Sequence, residues 1–401
     1  MSLPAPPKDP GTIWPPFEFE GRPRVVFGPG ALARLGPLAA AIAGPRVFLV
    51  SDPGIAAHGH TARAVASLTA AGLHVTPFDA VVENPTAADV AACAAALTAA
   101  APELVVALGG GSAIDTAKAA ALTAATGRPL ATHAGHHQTD ARVLPIVVVP
   151  TTAGTGSECQ SAALIGDATT HRKLACLDPK LLPRLTLLDP ELTLSLPARV
   201  TAASGLDALT HATEAAVTTA RSPASSVYAL EAFRLAIAAL PAALERPADL
   251  AARCAMLWAS ALAGMAIEES MLGAAHACGN PLTRTRDLTH GFAVSVVLPA
   301  VVRYNARDAA SAAIYADLAR AAGLATPTAA ALADHLDALV THAGAAAALA
   351  ASGVDSPDIS SLSEEAATQW TGTFNPRPVD AAAFATLYRA TLARHAPATL
   401  R

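Results

Sequence analysis

Charge is scarce in this chain: Asp, Glu, Lys and Arg make up 15% of its 401 residues, against 52% apolar ones. That balance excludes a disordered chain and favours a compact, helix-rich protein with room for two or three domains. No basic stripe is present and the net charge is −5, so nucleic acid is not an expected partner. CxxC spacing is absent as well. Cys93, Cys159, Cys176, Cys254 and Cys278 are scattered and odd in number, as suits buried thiols in a reducing compartment. The longest uncharged apolar run, Cys254 to Ile267, is too short to span a bilayer. Pro4, Pro6, Pro7 and Pro10 stand where a signal peptide needs a continuous apolar helix. The expectation is a soluble cytoplasmic protein with no membrane contact.

What is present in the first half is a repeated strand-helix pattern. After a Pro-rich lead-in over residues 1–16, Phe17–Glu20 alternates like an edge strand that could pair with Arg24–Phe27. The runs 47–50, 73–76, 104–108 and 146–149 read as strands, with helices over 59–71, 86–100 and 112–125 between them. Such alternation predicts a mainly parallel sheet, whose ligands bind beyond the carboxyl ends of the strands. The polar signals fall at those ends. Asp52 follows the first run, where it could accept the hydroxyls of an adenosine ribose or simply cap a helix. Gly109-Gly110-Gly111-Ser112 follows the third, allowing close backbone approach to a pyrophosphate at a helix N-terminus. It lacks the spacing of a G-x-G-x-x-G fingerprint or a Walker A loop. Thr151, Thr152 and Thr155 follow the fourth run. The His133-Ala134-Gly135-His136-His137 stretch reads as solvated loop histidines.

Beyond about residue 195 strand signals largely stop. Helices are expected over 199–218, 223–244, 249–267, 308–321, 328–350 and 380–395, which places an α/β domain at 1–195 and an all-helical one at 196–401. Asp207 and His211 lie four apart on one helical face and could hold one edge of a divalent metal, although a capping or salt-bridge pair has the same spacing. His276 and His290 follow, completing a set of one carboxylate and three imidazoles suited to Fe²⁺ or Zn²⁺. Arg284 and Arg286, between those two histidines, could face an anionic substrate.

Several long stretches in order resemble the iron-containing (group III) alcohol dehydrogenases: Gly109 to Lys118, Pro150 to Glu158, Leu187 to Leu192, Asp207 to His211, and His276 through His290. The resemblance implies a dehydroquinate-synthase-like architecture, with a Rossmann-like N-terminal domain, a helical C-terminal domain and a metal in the cleft between them. It implies Asp207, His211, His276 and His290 as metal ligands. It implies NAD contacts at Asp52, Asn84, Gly110, Gly111, Ser112, Asp115, Thr151, Thr152, Thr155 and Lys173. Asn280 departs from the pattern, standing where many relatives carry a proton-relay histidine. An amide cannot act as a base near neutral pH.

The expected activity is reversible hydride transfer between a small alcohol or aldehyde and NAD, which a carboxylate at Asp52 favours over NADP, with Fe²⁺ or Zn²⁺ as Lewis acid. A homodimer or larger homo-oligomer is implied by the same resemblance. A metal-dependent lyase or cyclase on this architecture, or a non-catalytic NAD- or metal-binding protein, are the alternatives.

Overall fold

The computed structural model describes residues 21, 23–136, 139–167 and 173–395. The expected strand at Phe17–Glu20 and residue His137 lie outside them. The chain divides into two compact units, one of Glu20–Leu196 and one that includes Pro197–Arg401.

In the first unit, strands β1 (Arg24–Phe27), β2 (Arg46–Val50), β3 (His74–Phe78), β4 (Leu104–Gly109), β6 (Ile146–Pro150) and β9 (Leu185–Leu188) form one sheet. Their order is β1-β9-β6-β4-β2-β3, and every neighbouring pair is parallel. A smaller sheet of β5 (Gly135–His136), β8 (Lys173–Leu177) and β7 (Ala162–Gly166) stands beside it. Helices α1 (Leu35–Ala40), α2 (Pro53–Ala57), α3 (His60–Ala70), α4 (Ala87–Ala100) and α5 (Gly111–Thr126) make the connections.

The strand period of two fixes the layering. Val47, Leu49, Val106 and Val147 enter one core with Ile55, Ala64 and Leu68. Phe48, Val50, Val105 and Val148 enter the opposite core with Val90, Leu97 and Ile114. Each fully buried aliphatic side chain contributes about 1.5–3 kcal/mol, which is why both faces must be covered. From β2 the chain steps outward to β3, then returns past β2 to β4 and continues to β6 and β9. The direction of winding therefore reverses between β2 and β4, and that switch point is where open α/β sheets bind ligands.

Arg24–Phe27 pairs parallel with Leu185–Leu188, a strand the sequence reading missed because only four residues separate Arg184 from Asp189. Asp189 secures the pairing. Its carboxylate accepts the backbone N–H groups of Gly30 at 3.1 Å and Leu32 at 3.0 Å.

The second unit has no strand among its described residues. It contains α6 (Ala198–Ala215), α7 (Pro223–Glu245), α8 (Leu250–Glu268), α9 (Ala274–Arg286), α10 (His290–Asn305) and α11 (Ala309–Ala321). Then come α12 (Ala329–His342), α13 (Ala345–Ala351), α14 (Ile359–Ala366) and α15 (Ala381–His395). The helix expected over 328–350 is broken by Gly344, whose φ of 83° is left-handed. Neither α9 nor α10 stood out as a helix in the sequence, since Pro281 and Pro299 lie inside them. By length and composition alone α7 and α8 match membrane spans, each with mean hydropathy 1.6, as buried core helices also do. They pack on each other and on α6 inside this unit, and α8 is mostly buried.

Candidate metal centre and cofactor edge

Asp207 and His211 leave one face of α6, His276 lies in the first turn of α9, and His290 opens α10. Asp207 Oδ1 is 3.4 Å from His211 Nε2, 3.7 Å from His276 Nε2 and 3.9 Å from His290 Nε2. Ligand atoms of Asp207, His276 and His290 all fall within 4.8 Å of one another. The His211 ring stacks on His276 with centroids 4.8 Å apart. Glycine makes this convergence possible. A Cβ at Gly291 would lie 1.9 Å from the Ala203 carbonyl oxygen on α6, and one at Gly279 would lie 2.5 Å from Val294 on α10. Only bare backbone lets α10 press against α6 and α9 closely enough to deliver His290.

Two atoms of the group test whether a metal fits. Asp207 Oδ1 and His276 Nε2 are buried and neither has a hydrogen-bond partner. Orphaned buried polar atoms are costly, and native proteins keep few of them. Ligands at about 2.1 Å around a tetrahedral ion stand roughly 3.4 Å apart, close to the spacings here. The residues fit a divalent cation.

The electrostatics agree. Burial opposes the charge on Asp207, but His211 first, then His276 and His290, outweigh it and hold the carboxyl well below the usual carboxylate range. Burial also disfavours a charged His276, yet Asp207 on one ring nitrogen and Glu214 on the other push its pKa up to about 9. A site that draws a proton onto a buried imidazole will also draw a metal cation.

Glu214 had no assigned role in the sequence. It follows Asp207 by seven residues and His211 by three, so 207, 211 and 214 form one helical stripe, a signal that could have found it. Asn280, four residues after His276, donates its amide to Gln369 Oε1 at 3.0 Å. Arg284 and Arg286 are corrected: they pair with Glu365 and Asp358, tying the end of α9 to α14 and the turn before it. Both guanidinium groups are thereby committed to carboxylates within the unit.

In the α/β unit the predicted cofactor residues gather around the β2/β4 switch point. Asp52 caps α2, its Oδ1 accepting the Ile55 N–H at 3.0 Å, while Oδ2 turns towards Gly109, where a Cβ would meet it at 3.2 Å. Capping thus uses Oδ1, while Oδ2 faces the glycine loop. Gly110 and Gly111 abut Thr152 and Thr155, with hypothetical Cβ contacts of 3.1 and 2.8 Å. Gly110 precedes α5 in extended conformation with no side-chain cap on the helix N-terminus. Ser112 Oγ accepts the N–H of Asn84, itself in the left-handed region at φ 52°. Thr151 is buried and donates its backbone N–H to Gly109 at 3.0 Å.

Asp115 is engaged by its own unit: Ser157 Oγ donates to it at 2.5 Å and the Leu164 N–H at 3.1 Å. Burial raises its pKa against the pull of Lys118. Buried Lys118 donates to the carbonyls of Ser157 and Gln160, each at 2.6 Å, and of Ala162 at 3.0 Å, bracing the loop after β6. Lys173 is exposed at the start of β8, opposite Gly166. The histidine loop reading needs one correction. His133 is buried and bonded to Thr126 Oγ1 at 2.9 Å, whereas His136 is exposed. Thr126 ends α5 and supplies a partner that a loop reading does not anticipate.

Residues 22–190 match the family described as iron-containing alcohol dehydrogenase, and residues 201–392 match the C-terminal part of the Fe-containing alcohol dehydrogenase family. The chain belongs to this family. It is 34% identical to alcohol dehydrogenase 4 of Schizosaccharomyces pombe, over 88% of this chain and 83% of that protein. It is 34% identical to the NAD-dependent methanol dehydrogenase of Bacillus methanolicus, over 71% of this chain and 74% of that one. Among solved structures it resembles sulfoacetaldehyde reductase from Bifidobacterium kashiwanohense in complex with NAD+, with 28% identity and a TM-score of 0.85. That match covers 95% of this chain and 99% of the other. The two-part fold, a parallel α/β sheet unit and a helical unit, is the family's.

Proposed function

We propose that this chain oxidises small alcohols, or reduces the matching aldehydes, with NAD and a divalent metal held by Asp207, His211, His276 and His290. The observation that carries the reading is Asp207 Oδ1, buried and without a hydrogen-bond partner, facing three imidazole nitrogens within 3.9 Å. A metal there supplies Lewis acidity that lowers the pKa of an alcohol or polarises a carbonyl, and NAD supplies the hydride acceptor. Iron is the proposed occupant on the strength of the family, although one carboxylate and three imidazoles accommodate zinc as well.

The chain's own residues set the rest. Asp52, whose Oδ2 faces Gly109, accepts the hydroxyls of the adenosine ribose and repels a 2′-phosphate, so NAD is favoured over NADP. The uncapped N-terminus of α5, with Gly110, Gly111 and Ser112, receives the pyrophosphate. Asn84, Thr151, Thr152, Thr155 and Lys173 offer donors around it, while Asp115 shapes the loop that carries three of them. Asn280 contributes a hydrogen-bonding amide and no base, so the alcohol proton leaves by another route. Five free thiols suit a reducing compartment, and we place the enzyme in the cytoplasm.

The test is NADH formation across a panel of small primary alcohols and diols. Metal-stripped protein is compared with protein reloaded with Fe²⁺ or Zn²⁺. Turnover only in a metal-loaded form is expected. Equal turnover by stripped protein, or none with any alcohol in either loaded form, would refute the proposal.

A further inference from the structure

The first turn of α9 is capped in an unusual way. Gly273 precedes the helix and offers no side chain to its free N–H groups. Residues from elsewhere in the chain take that place. Glu214 Oε1 accepts the Ala275 N–H at 2.6 Å, and Asn375 Oδ1 accepts the Ala274 N–H at 3.3 Å. The other oxygen of Glu214, Oε2, takes the ring nitrogen Nδ1 of His276 at 2.5 Å. One buried carboxylate therefore grips both the backbone from which His276 springs and the ring itself. Glu214 is 3% exposed, so no solvent competes for either oxygen. Gly273 preserves the arrangement, since a Cβ there would stand 3.0 Å from Glu214 Oε1.

We propose that Glu214 is the positioning residue of the metal centre, an inference that rests on the metal reading above. A carboxylate at Nδ1 accepts a hydrogen bond from Nδ1–H, holding the proton on that nitrogen and leaving Nε2 as the bare lone pair. Nε2 is the atom that faces Asp207 Oδ1 at 3.7 Å. The tautomer and the ring plane are fixed by the same residue, and its negative charge makes the imidazole a stronger donor. Outer carboxylate partners of ligating histidines are worth about 10–100-fold in metal affinity.

A purely structural role for Glu214, as a helix cap only, makes a different prediction, and Asn375 supplies the contrast. It caps the neighbouring N–H of the same helix end without touching the imidazole. Zn²⁺ affinity would be measured by chelator competition in wild type, Glu214→Gln and Asn375→Ala, with melting temperature and NAD binding followed in each. The expected result is one Zn²⁺ per wild-type chain, about 10–100-fold weaker binding in Glu214→Gln, and less than threefold change in Asn375→Ala. Both variants should lose thermal stability. Equal loss of Zn²⁺ affinity in the two variants, or none in Glu214→Gln, would overturn the role of Glu214 while leaving the metal site standing. Failure of wild type to bind Zn²⁺ would instead bring down the metal reading itself, and the inference with it. Should Glu214→Gln not fold, histidine-selective ¹⁵N spectra of Zn²⁺-loaded wild type still decide. The His276 proton belongs on Nδ1, and finding it on Nε2 refutes the inference.

Discussion

In the helical unit, four side chains from three helices crowd one another until a carboxylate oxygen and an imidazole nitrogen are left buried without a hydrogen-bond partner. At the sheet edge of the α/β unit the one such atom among the predicted cofactor residues is the hydroxyl of Thr151, and no carboxylate or imidazole among them is left so. There glycines, hydroxyls and an uncapped helix N-terminus line a topological switch point, and nearly every polar group has a neighbour within its own unit. The contrast bears on how each proposed site would hold its ligand. A centre made of few strong donors in a desolvated pocket depends on every one of them, whereas an edge made of many weak backbone contacts loses affinity in small steps. Mutation should therefore produce cliffs in the first region and slopes in the second.

The steepest cliff is Asp207→Asn. The substitution keeps the shape, removes the negative charge that three imidazoles share, and places an amide among the ligands. Loss of bound metal and a fall in kcat of at least about 10³-fold are expected, with NAD affinity unchanged within a factor of two. Metal analysis after gel filtration checks the first part and NAD titration the second. A variant that keeps its metal would break the contrast outright.

Gly291→Ala attacks the same centre through packing. Its Cβ would meet the Ala203 carbonyl oxygen at 1.9 Å, and backbone oxygen cannot rotate away. Overpacking of this kind costs roughly 3 kcal/mol, and pushing α10 off α6 should carry His290 out of range of Asp207. Urea unfolding reads the first effect and Zn²⁺ affinity the second. A loss below about 1 kcal/mol would mean that the helices slide apart without strain.

A third expectation concerns pH in the metal-free protein. His276 is raised from 6.5 to about 9, so its stabilising contribution is complete below pH 6.5 and disappears as pH climbs through about 9. Asp207 is lowered, and its own contribution is lost only in acid, as pH falls towards its depressed value. Metal-free protein should therefore lose stability between pH 6.5 and 9, while the metal-loaded form, whose ring nitrogen no longer carries that proton, should hold steadier. Urea midpoints across that range measure it. A flat or rising curve for the metal-free form would contradict the charge arrangement around His276.

The two regions were also unequally legible in the sequence. Asp207 and His211 announce themselves by their i,i+4 spacing, but His276 and His290 join them only through close helix packing that no local pattern encodes. Glu214 lay on the same stripe, a spacing that marks it as facing the site but does not say that it holds His276, sixty-two residues on. Arg284 and Arg286 looked available for an anion because Glu365 and Asp358 lie over seventy residues away in sequence. The sheet edge read more easily, since strand, glycines and helix follow one another within a dozen residues at Leu104 to Asp115. Its failures were local as well. Leu185–Leu188 is too short for its period to register, and His133 owes its burial to a hydroxyl at the end of the preceding helix.

The gentlest slope should be Asp52→Asn, and its smallness is what makes it informative. Asparagine caps helices about as well as aspartate, so α2 should keep its Ile55 bond and stability should move by less than about 0.5 kcal/mol. What disappears is the charge on the oxygen that turns towards Gly109. A hydrogen bond to a charged acceptor exceeds a neutral one by roughly 1 kcal/mol, so NAD should bind about fivefold more weakly. NADP, no longer repelled at its 2′-phosphate, should gain by a similar factor, so the preference for NAD narrows from both sides. KM values for the two cofactors, measured side by side at fixed alcohol, test this. A change in metal content would show that the two regions are not independent, and an unchanged NAD to NADP ratio would remove Asp52 from the cofactor site and leave it a helix cap alone.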